Sequence, residues 1–213
     1  MVQRYRQDYA SYICILSSCP YRQDVFFVRG GIGMTFKSQL LDASAVSRAL
    51  RRISFEIIEK NRGAEGLCLI GIRRRGVSIA RIVQENIFAN EGVRLPLGEL
   101  DITFYRDDIE KIQDFPTVNA TDIPFDVTGR KIILTDDVLF TGRTVRAAID
   151  AIFSLGRPQA IQLAVLIDRG HRELPIKPDY VGKNIPTSLS EIVKVTFPEF
   201  DDKESAVAIY RKD

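Results

Sequence analysis

The regular patterning of the chain begins near Ser44. Val46, Leu50, Ile53 and Ile57 recur on one stripe at about 100° per residue, and Ser44 stands ahead of them as a capping residue. A helix is therefore expected from Ser44 to about Lys60, with a break at Asn61–Gly66. Leu67–Ile72 is a short apolar run that reads as a buried strand, followed by a Gly71–Gly76 turn and a helix from Val77 to about Asn90. Leu97–Phe104 reads as a strand, and the charged stretch Tyr105–Thr128, with Pro116 and Pro124, as a long loop or small hairpin layer. Lys131–Thr135 is a strand, Asp136–Arg143 a loop, Thr144–Leu155 a helix stopped by Gly156, and Ala160–Asp168 a further strand. A Pro-rich loop (Pro175, Pro178, Pro186) and short strands near Val193–Phe197 and Ala206–Tyr210 complete the pattern. Helices alternating with short apolar runs predict an α/β fold with a largely parallel sheet.

With 213 residues, 45% hydrophobic and 27% charged, the chain can bury a core as one domain. Thirty basic and 28 acidic residues leave a formal charge of +2, so a polyanion site has to come from local clustering. Cys14, Cys19 and Cys68 cannot all pair, and the single His171 has no metal-ligand spacing around it. Free thiols in a reducing, cytoplasmic setting are the simpler reading. No apolar run approaches the roughly 20 residues of a membrane span.

Residues 1–33 differ in character, mixing Arg4, Arg6, Tyr5, Tyr9 and Tyr12 without helical or alternating period. One reading starts the protein at Met34, because Arg29-Gly30-Gly31 can be encoded by a purine run of the ribosome-binding type; the other is a natural disordered extension. The organisation expected is an extension or mistranslated leader over 1–33 and a single domain over 34–213.

The segment richest in chemistry is Ile132-Ile133-Leu134-Thr135-Asp136-Asp137-Val138-Leu139-Phe140-Thr141-Gly142-Arg143-Thr144. A buried strand ends in two acids, and a turn of hydroxyl residues and glycine then opens a helix. Successive backbone N–H groups and the positive end of a helix dipole suit a phosphate monoester, with Thr141 and Thr144 as further donors. Adjacent carboxylates would repel that phosphate unless they bind something else. The vicinal hydroxyls of a ribose are natural partners, since a carboxylate accepts two hydrogen bonds at once. Neither a dinucleotide Gly-x-Gly-x-x-Gly turn nor a Gly-Lys-Ser/Thr P-loop is present.

This segment resembles the phosphoribosyl pyrophosphate (PRPP) motif of type I phosphoribosyltransferases. Asp101-Ile102-Thr103-Phe104-Tyr105-Arg106-Asp107-Asp108, the block from Val165 to Pro175 and Gly182-Lys183-Asn184-Ile185-Pro186-Thr187 narrow the resemblance to the PyrR family, over about Leu40 to Lys212. That resemblance implies a type I phosphoribosyltransferase fold, a mostly parallel central sheet flanked by helices and carrying a small hood. It also implies a protein that converts uracil and PRPP to UMP and pyrophosphate. Such a protein binds the leader RNA of pyrimidine operons in a UMP-dependent way, controlling transcription attenuation, and is a homo-oligomer.

By resemblance, Arg74 and Arg75 belong to the pyrophosphate loop, Arg106 closes over the pyrophosphate, and Asp136, Asp137, Thr141, Gly142, Arg143 and Thr144 hold the ribose phosphate. Arg106 could equally pair with Asp107 or Asp108 at the surface. Mg²⁺ is expected to be held mainly by substrate oxygens rather than by side chains. Arg74 departs from the family's usual Thr. The uracil pocket is placed near Ile167, Arg169 and Val193, where backbone groups can read a pyrimidine edge. No general base is legible; His171 suits a structural or RNA-facing role.

On the first helix, Arg48, Arg51 and Phe55 lie opposite the apolar stripe. An aromatic among arginines fits base stacking with phosphate attraction, and equally a covered subunit interface. By resemblance the RNA surface comprises Arg51, Phe55, Lys60, Arg172, Lys177 and Lys183, with Phe55 standing where the family commonly has His. The alternative function is an RNA-binding regulator that uses the pocket only as a nucleotide sensor; a purine or orotate transferase is disfavoured by the two family blocks.

Overall fold

The computed structural model describes residues 34–102, 121–201 and 203–212. Two sheets are present among them. The larger is parallel throughout and runs β3 (Leu97–Leu100), β2 (Leu67–Ile72), β4 (Lys131–Leu139), β5 (Ala160–Asp168), β6 (Tyr180–Asn184). The smaller, a hood, is antiparallel in the order β1 (Met34–Leu41), β8 (Ala206–Lys212), β7 (Glu191–Thr196).

Both faces of the parallel sheet are covered, which explains why β2 reads as an unbroken apolar run. Its side chains alternate between two cores. Leu67 and Leu69 pack with Ile133 against α1 (Ala43–Asn61) and α2 (Arg75–Glu91), a layer continued by Val193, Val195, Val207 and Ile209 of the hood. Cys68, Ile70 and Ile72 pack on the opposite face with Ile132, Leu134 and α3 (Arg143–Leu155). Val46, Leu50, Ile53 and Ile57 of α1 are all buried, as the helical stripe requires. At about 1.5–3 kcal/mol per fully buried aliphatic side chain, these two layers dominate the stability.

Several element ends differ from the sequence expectation. Asp42, not Ser44, caps α1: its carboxylate accepts from Ala45 N at 2.7 Å, and Ser44 Oγ donates to the same oxygen at 2.8 Å. A charged acceptor one turn from three open amides outcompetes a hydroxyl. β4 runs on to Leu139 instead of ending at Thr135, so the two acids lie in a strand rather than a loop. The stretch read as a Pro-rich loop contains β6, an edge strand between Pro178 and Pro186.

The topology fixes where a ligand can sit. The chain leaves β2 through α2 to reach β3 on one side, and leaves β4 through α3 to reach β5 on the other. The carboxyl ends of β2 and β4 therefore flank the crevice where the winding reverses, the general ligand position of such sheets. Pairing of β2 with β4 stops at Gly71–Thr135, while β4 stays paired with β5 through Leu139. Beyond that point the Arg73–Arg75 turn and the Asp136–Asp137 pair face each other across the crevice.

One close approach holds them there. Thr135 Oγ1 donates to the Gly76 carbonyl at 2.7 Å, and a Cβ on Gly76 would lie 2.4 Å from the Thr135 carbonyl oxygen. Gly76→Ala is expected to destabilise the protein by about 1–3 kcal/mol, because backbone must move and the helix-propensity gain of up to ~1 kcal/mol is smaller. A urea titration checks this: the midpoint should fall at constant slope, and an unchanged midpoint would show that the crevice is not set by this contact.

Candidate active site

Asp136 and Asp137 close the crevice floor. Asp136 is 8% exposed and Asp137 half-buried, and each carboxylate accepts one backbone amide, Asp136 from Asp137 N and Asp137 from Val138 N, both at 2.9 Å. Neither forms an ion pair among the described residues. Burial, and next the neighbouring Asp137, push the Asp136 carboxyl well above the usual carboxylate range. Burial also raises Asp137, against an opposing pull from the Arg75 guanidinium. Two adjacent acids removed from water without a paired cation cost stability, and such a cost marks a site kept for a ligand.

On one side of the acids lies a cleft of about 430 Å³, lined by Asp136, Thr141, Gly142, Arg143, Thr144 and Glu173 among others. Gly142 caps α3 with φ 93°, a left-handed conformation in which glycine is unstrained. It provides no side-chain acceptor itself, and the amide of Arg143, the first of α3, donates to Thr141 Oγ1 only at a long 3.4 Å. Together with the helix dipole the first amides of α3 form an anion seat. Phe140, Thr141 and Gly142 are held in place by the loop after β5. Glu173 N and Leu174 N donate to the Thr141 carbonyl at 3.0 and 3.2 Å, and Arg143 pairs with Glu173 at 2.7 Å.

On the other side a cleft of about 300 Å³ is lined by Arg73, Arg74, Arg75, Asp101, Asp136 and Asp137 among others. Asp136 and Thr144 border both clefts, which form one trough from the anion seat, over the acids, to the arginines. Arg73 pairs with Glu99 at 3.2 Å and Arg75 with Asp201 at 2.8 Å. Arg74 is exposed and has no ion pair among the described residues. Arg106 lies outside the described residues, as do positions 1–33.

The proposed uracil-pocket residues are placed unequally. Ile167 is fully buried in the core, so only its backbone could meet a ligand. Val193 lies on β7 in the hood and is 8% exposed. Arg169, 6% exposed, donates to Thr187 Oγ1 at 3.1 Å and to the Ser188 and Glu191 carbonyls at 3.0 and 2.7 Å; its guanidinium stacks 4.2 Å from the centre of the Phe140 ring. Phe140 also meets His171 edge-on, and His171 Nε2 contacts the Thr187 carbonyl at 2.5 Å. The Phe140–Arg169 stack went unrecognised in the sequence, where its only trace was an aromatic inside a phosphate-type turn.

The residues expected to form the RNA surface separate into two groups. Phe55 is 44% exposed with Arg51 5.9 Å from its ring centre, and Lys177 and Lys183 are exposed. Arg52 donates to the Val181 and Gly182 carbonyls, so α1 lies beside β6, the strand that carries Lys183. Lys60, by contrast, pairs with Asp179 at 2.6 Å and lies over Tyr180. Arg172 turns inward, pairing with Asp168 at 2.6 Å and donating to the Phe140 and Ile176 carbonyls at 2.7 and 3.0 Å. Its guanidinium ties the loop after β5 to the anion seat.

Comparison with known proteins agrees with this geometry. The phosphoribosyl transferase domain matches residues 37–201. The Bifunctional protein PyrR of Caldicellulosiruptor bescii is 63% identical over 169 residues, covering 79% of this chain and 93% of the relative. That of Oceanobacillus iheyensis is 56% identical over 181 residues, covering 84% and 100%.

The chain belongs to the PyrR family.

Solved structures carry the same fold at low identity. The hypoxanthine phosphoribosyltransferase of Trypanosoma cruzi superposes with a TM-score of 0.63 at 16% identity, covering 84% of this chain and 98% of that one. That of Staphylococcus aureus gives 0.61 at 18%, covering 81% and 92%. A type I phosphoribosyltransferase fold with a parallel five-stranded sheet and a small antiparallel hood is thus common to this PyrR-family chain and to purine transferases. No helix among the described residues is long and apolar enough to cross a membrane.

Because folded-state burial raises both carboxyls of this PyrR-family chain, their contribution to stability is best when protonated and is lost as pH rises from about 3.8 through the raised values. Asp136→Asn keeps an acceptor for Asp137 N and removes the charge. The ligand-free variant is expected to melt about 2–4 °C above wild type at pH 8, the shift of ~1 kcal/mol for a domain of this size, with the advantage shrinking toward pH 4. Calorimetric melts across pH check this; a variant less stable than wild type at pH 8 would contradict the buried-charge account.

Proposed function

We propose that this chain is a uracil phosphoribosyltransferase, converting uracil and PRPP to UMP and pyrophosphate. We propose further that it regulates pyrimidine genes by UMP-dependent binding to operon leader RNA. The observation that carries the first half is the continuous trough in which an anion seat, two buried carboxylates and an arginine loop follow one another. PRPP has the matching order: a 5′-phosphate, a ribose with vicinal hydroxyls, and a diphosphate on C1.

Each part of the trough has a task. The amides opening α3 take the 5′-phosphate with Thr141 and Thr144. Asp136 and Asp137 accept hydrogen bonds from the 2′- and 3′-hydroxyls and fix the ring between the two anion sites. Their negative charge also lies beside the ribose carbon that becomes cationic as the diphosphate leaves, where it is stabilising. Arg74 and Arg75 neutralise the departing diphosphate. Uracil enters from the side of Arg169 and Val193, with its nitrogen in line with the breaking bond.

Among the described residues no group of three or more His, Cys, Asp or Glu could hold a metal ion. Asp136 and Asp137 are the carboxylates that would flank a Mg²⁺ ion brought in by the substrate, since that ion prefers substrate oxygens and water to an all-protein cage. When bound, the ion adds positive charge to the leaving diphosphate.

The regulatory half rests on family membership and on the exposed Phe55–Arg51 pair of α1, the helix that lies against β6 with its exposed Lys183. UMP in the product site would then bias RNA affinity through its preference for one state of the protein.

Labelled uracil with PRPP and Mg²⁺ tests the enzyme. Wild type should form UMP, and the double variant Asp136→Asn/Asp137→Asn should lose about 10²–10³-fold in kcat/KM. UMP formation equal in both would remove the carboxylates from the reaction. Filter binding to the organism's own pyrimidine leader RNA tests the regulator. Phe55→Ala is expected to weaken binding about 5–100-fold with an unchanged salt slope, and Lys183→Gln to lower that slope by about 1. Identical binding by all three proteins would move the RNA surface elsewhere.

A further inference from the structure

The short helix α4 (Pro198–Asp201) belongs to the hood, yet its side chains reach onto α2. Asp201 Oδ1 accepts from Arg75 Nη2 at 2.8 Å, and Glu199 Oε2 accepts from Ser78 Oγ at 2.5 Å. The other Glu199 oxygen lies 3.7 Å from Arg81 Nη1. Arg75, Ser78 and Arg81 recur every three residues, so α4 is laid along one face of the first turns of α2.

Arg75 is thereby held from the hood while its neighbours are not. Arg73 pairs with Glu99 of the parallel sheet, and Arg74 has no ion pair among the described residues. The Arg75–Asp201 pair is well shielded, with side chains 31% and 13% exposed. Asp201 is itself fixed, because its Oδ2 accepts from Phe197 N at 3.1 Å. Burial opposes ionisation of Asp201, but the Arg75 bond and the Phe197 amide outweigh it and hold the carboxyl below its usual range. Arg75 Nε is buried and has no acceptor among the described residues. The guanidinium is thus anchored through Nη2 to the hood, while the Arg75 side chain lines the cleft of about 300 Å³ beside the acids.

We propose that Asp201 is the positioning residue for Arg75, fixing its guanidinium from the hood so that its remaining donors meet the diphosphate of PRPP. This rests on the transferase reading of the trough and adds to it a residue that touches no substrate. An arginine pinned before the ligand arrives loses less rotamer freedom on binding, and its planar fork is aimed in advance. The hood, which carries Val193 on the nucleobase side, is through Asp201 also a wall of the diphosphate side.

Steady-state kinetics on the full chain test this, with melting curves to confirm folding. Asp201→Asn should raise KM for PRPP about 5–20-fold, changing kcat and KM for uracil by less than about twofold. Glu199→Gln cuts the adjacent strap without touching Arg75 and should leave KM for PRPP within about twofold of wild type. In an Arg75→Ala background, Asp201→Asn should add nothing, since its effect passes through the missing guanidinium. If Asp201→Asn does not fold, Asp201→Ser, which keeps an acceptor for Phe197 N, replaces it with the same expectations. An unchanged or lowered KM for PRPP, or an undiminished loss without Arg75, would overturn the proposal. A wild-type protein that makes no UMP would instead overturn the transferase reading; the same ratios in PRPP dissociation constants, by calorimetry, would then decide the role of Asp201.

Discussion

The structure depends on a charge placed where water is scarce. Asp136 and Asp137 follow a run of fully buried residues in β4 and remain in the strand, paired with β5, after β2 has turned away. A strand that ends in solvated acids would be unremarkable and cost nothing. Here the acids stay within the sheet, and burial outweighs the partial relief from Arg75 and two backbone amides. To one side of them α3 begins, to the other lies the Arg73–Arg75 turn, and Thr135 pins the two halves of the crevice together.

Rigidity is supplied from outside the trough. Arg172 ties the loop after β5 to the carbonyls of the anion seat, and Arg169 braces the hood-side loop while stacking on Phe140. Two arginines of one short segment thus direct most of their donors to backbone oxygens, which braces the Phe140–Gly142 turn from outside. Buried guanidinium groups suit this role because their donors form a fixed fork and the charge tolerates partial dehydration. The hood reaches the crevice through the α4 strap, where Asp201 pairs with Arg75.

What could be read in the sequence was local or periodic. The α1 stripe, the β2 run and β5 from Ala160 to Asp168 emerge as expected, because two buried faces leave a continuous apolar signature. The strand–acids–turn–helix order was legible because its parts are contiguous. The continuation of β4 was not, since a charged pair inside a strand is signalled only by its partner β5. β1 escaped notice because two register shifts break its alternation, and β6 because prolines flank a polar edge strand. Arg172 read as a surface charge until the carbonyls it bonds, more than 30 residues away in Leu139 and Phe140, were placed beside it. Contacts such as Arg75–Asp201, 126 positions apart, have no local pattern at all.

The central claim is that the two carboxylates of β4 receive the vicinal hydroxyls of a ribose. It is tested most directly by titration calorimetry of wild type with UMP and with 2′-deoxy-UMP, which share phosphate and base and differ by one hydroxyl. A hydrogen bond to a charged acceptor is worth about 1.5–3 kcal/mol, so UMP should bind roughly 10–100-fold more tightly. Equal affinity for the two nucleotides would contradict the account.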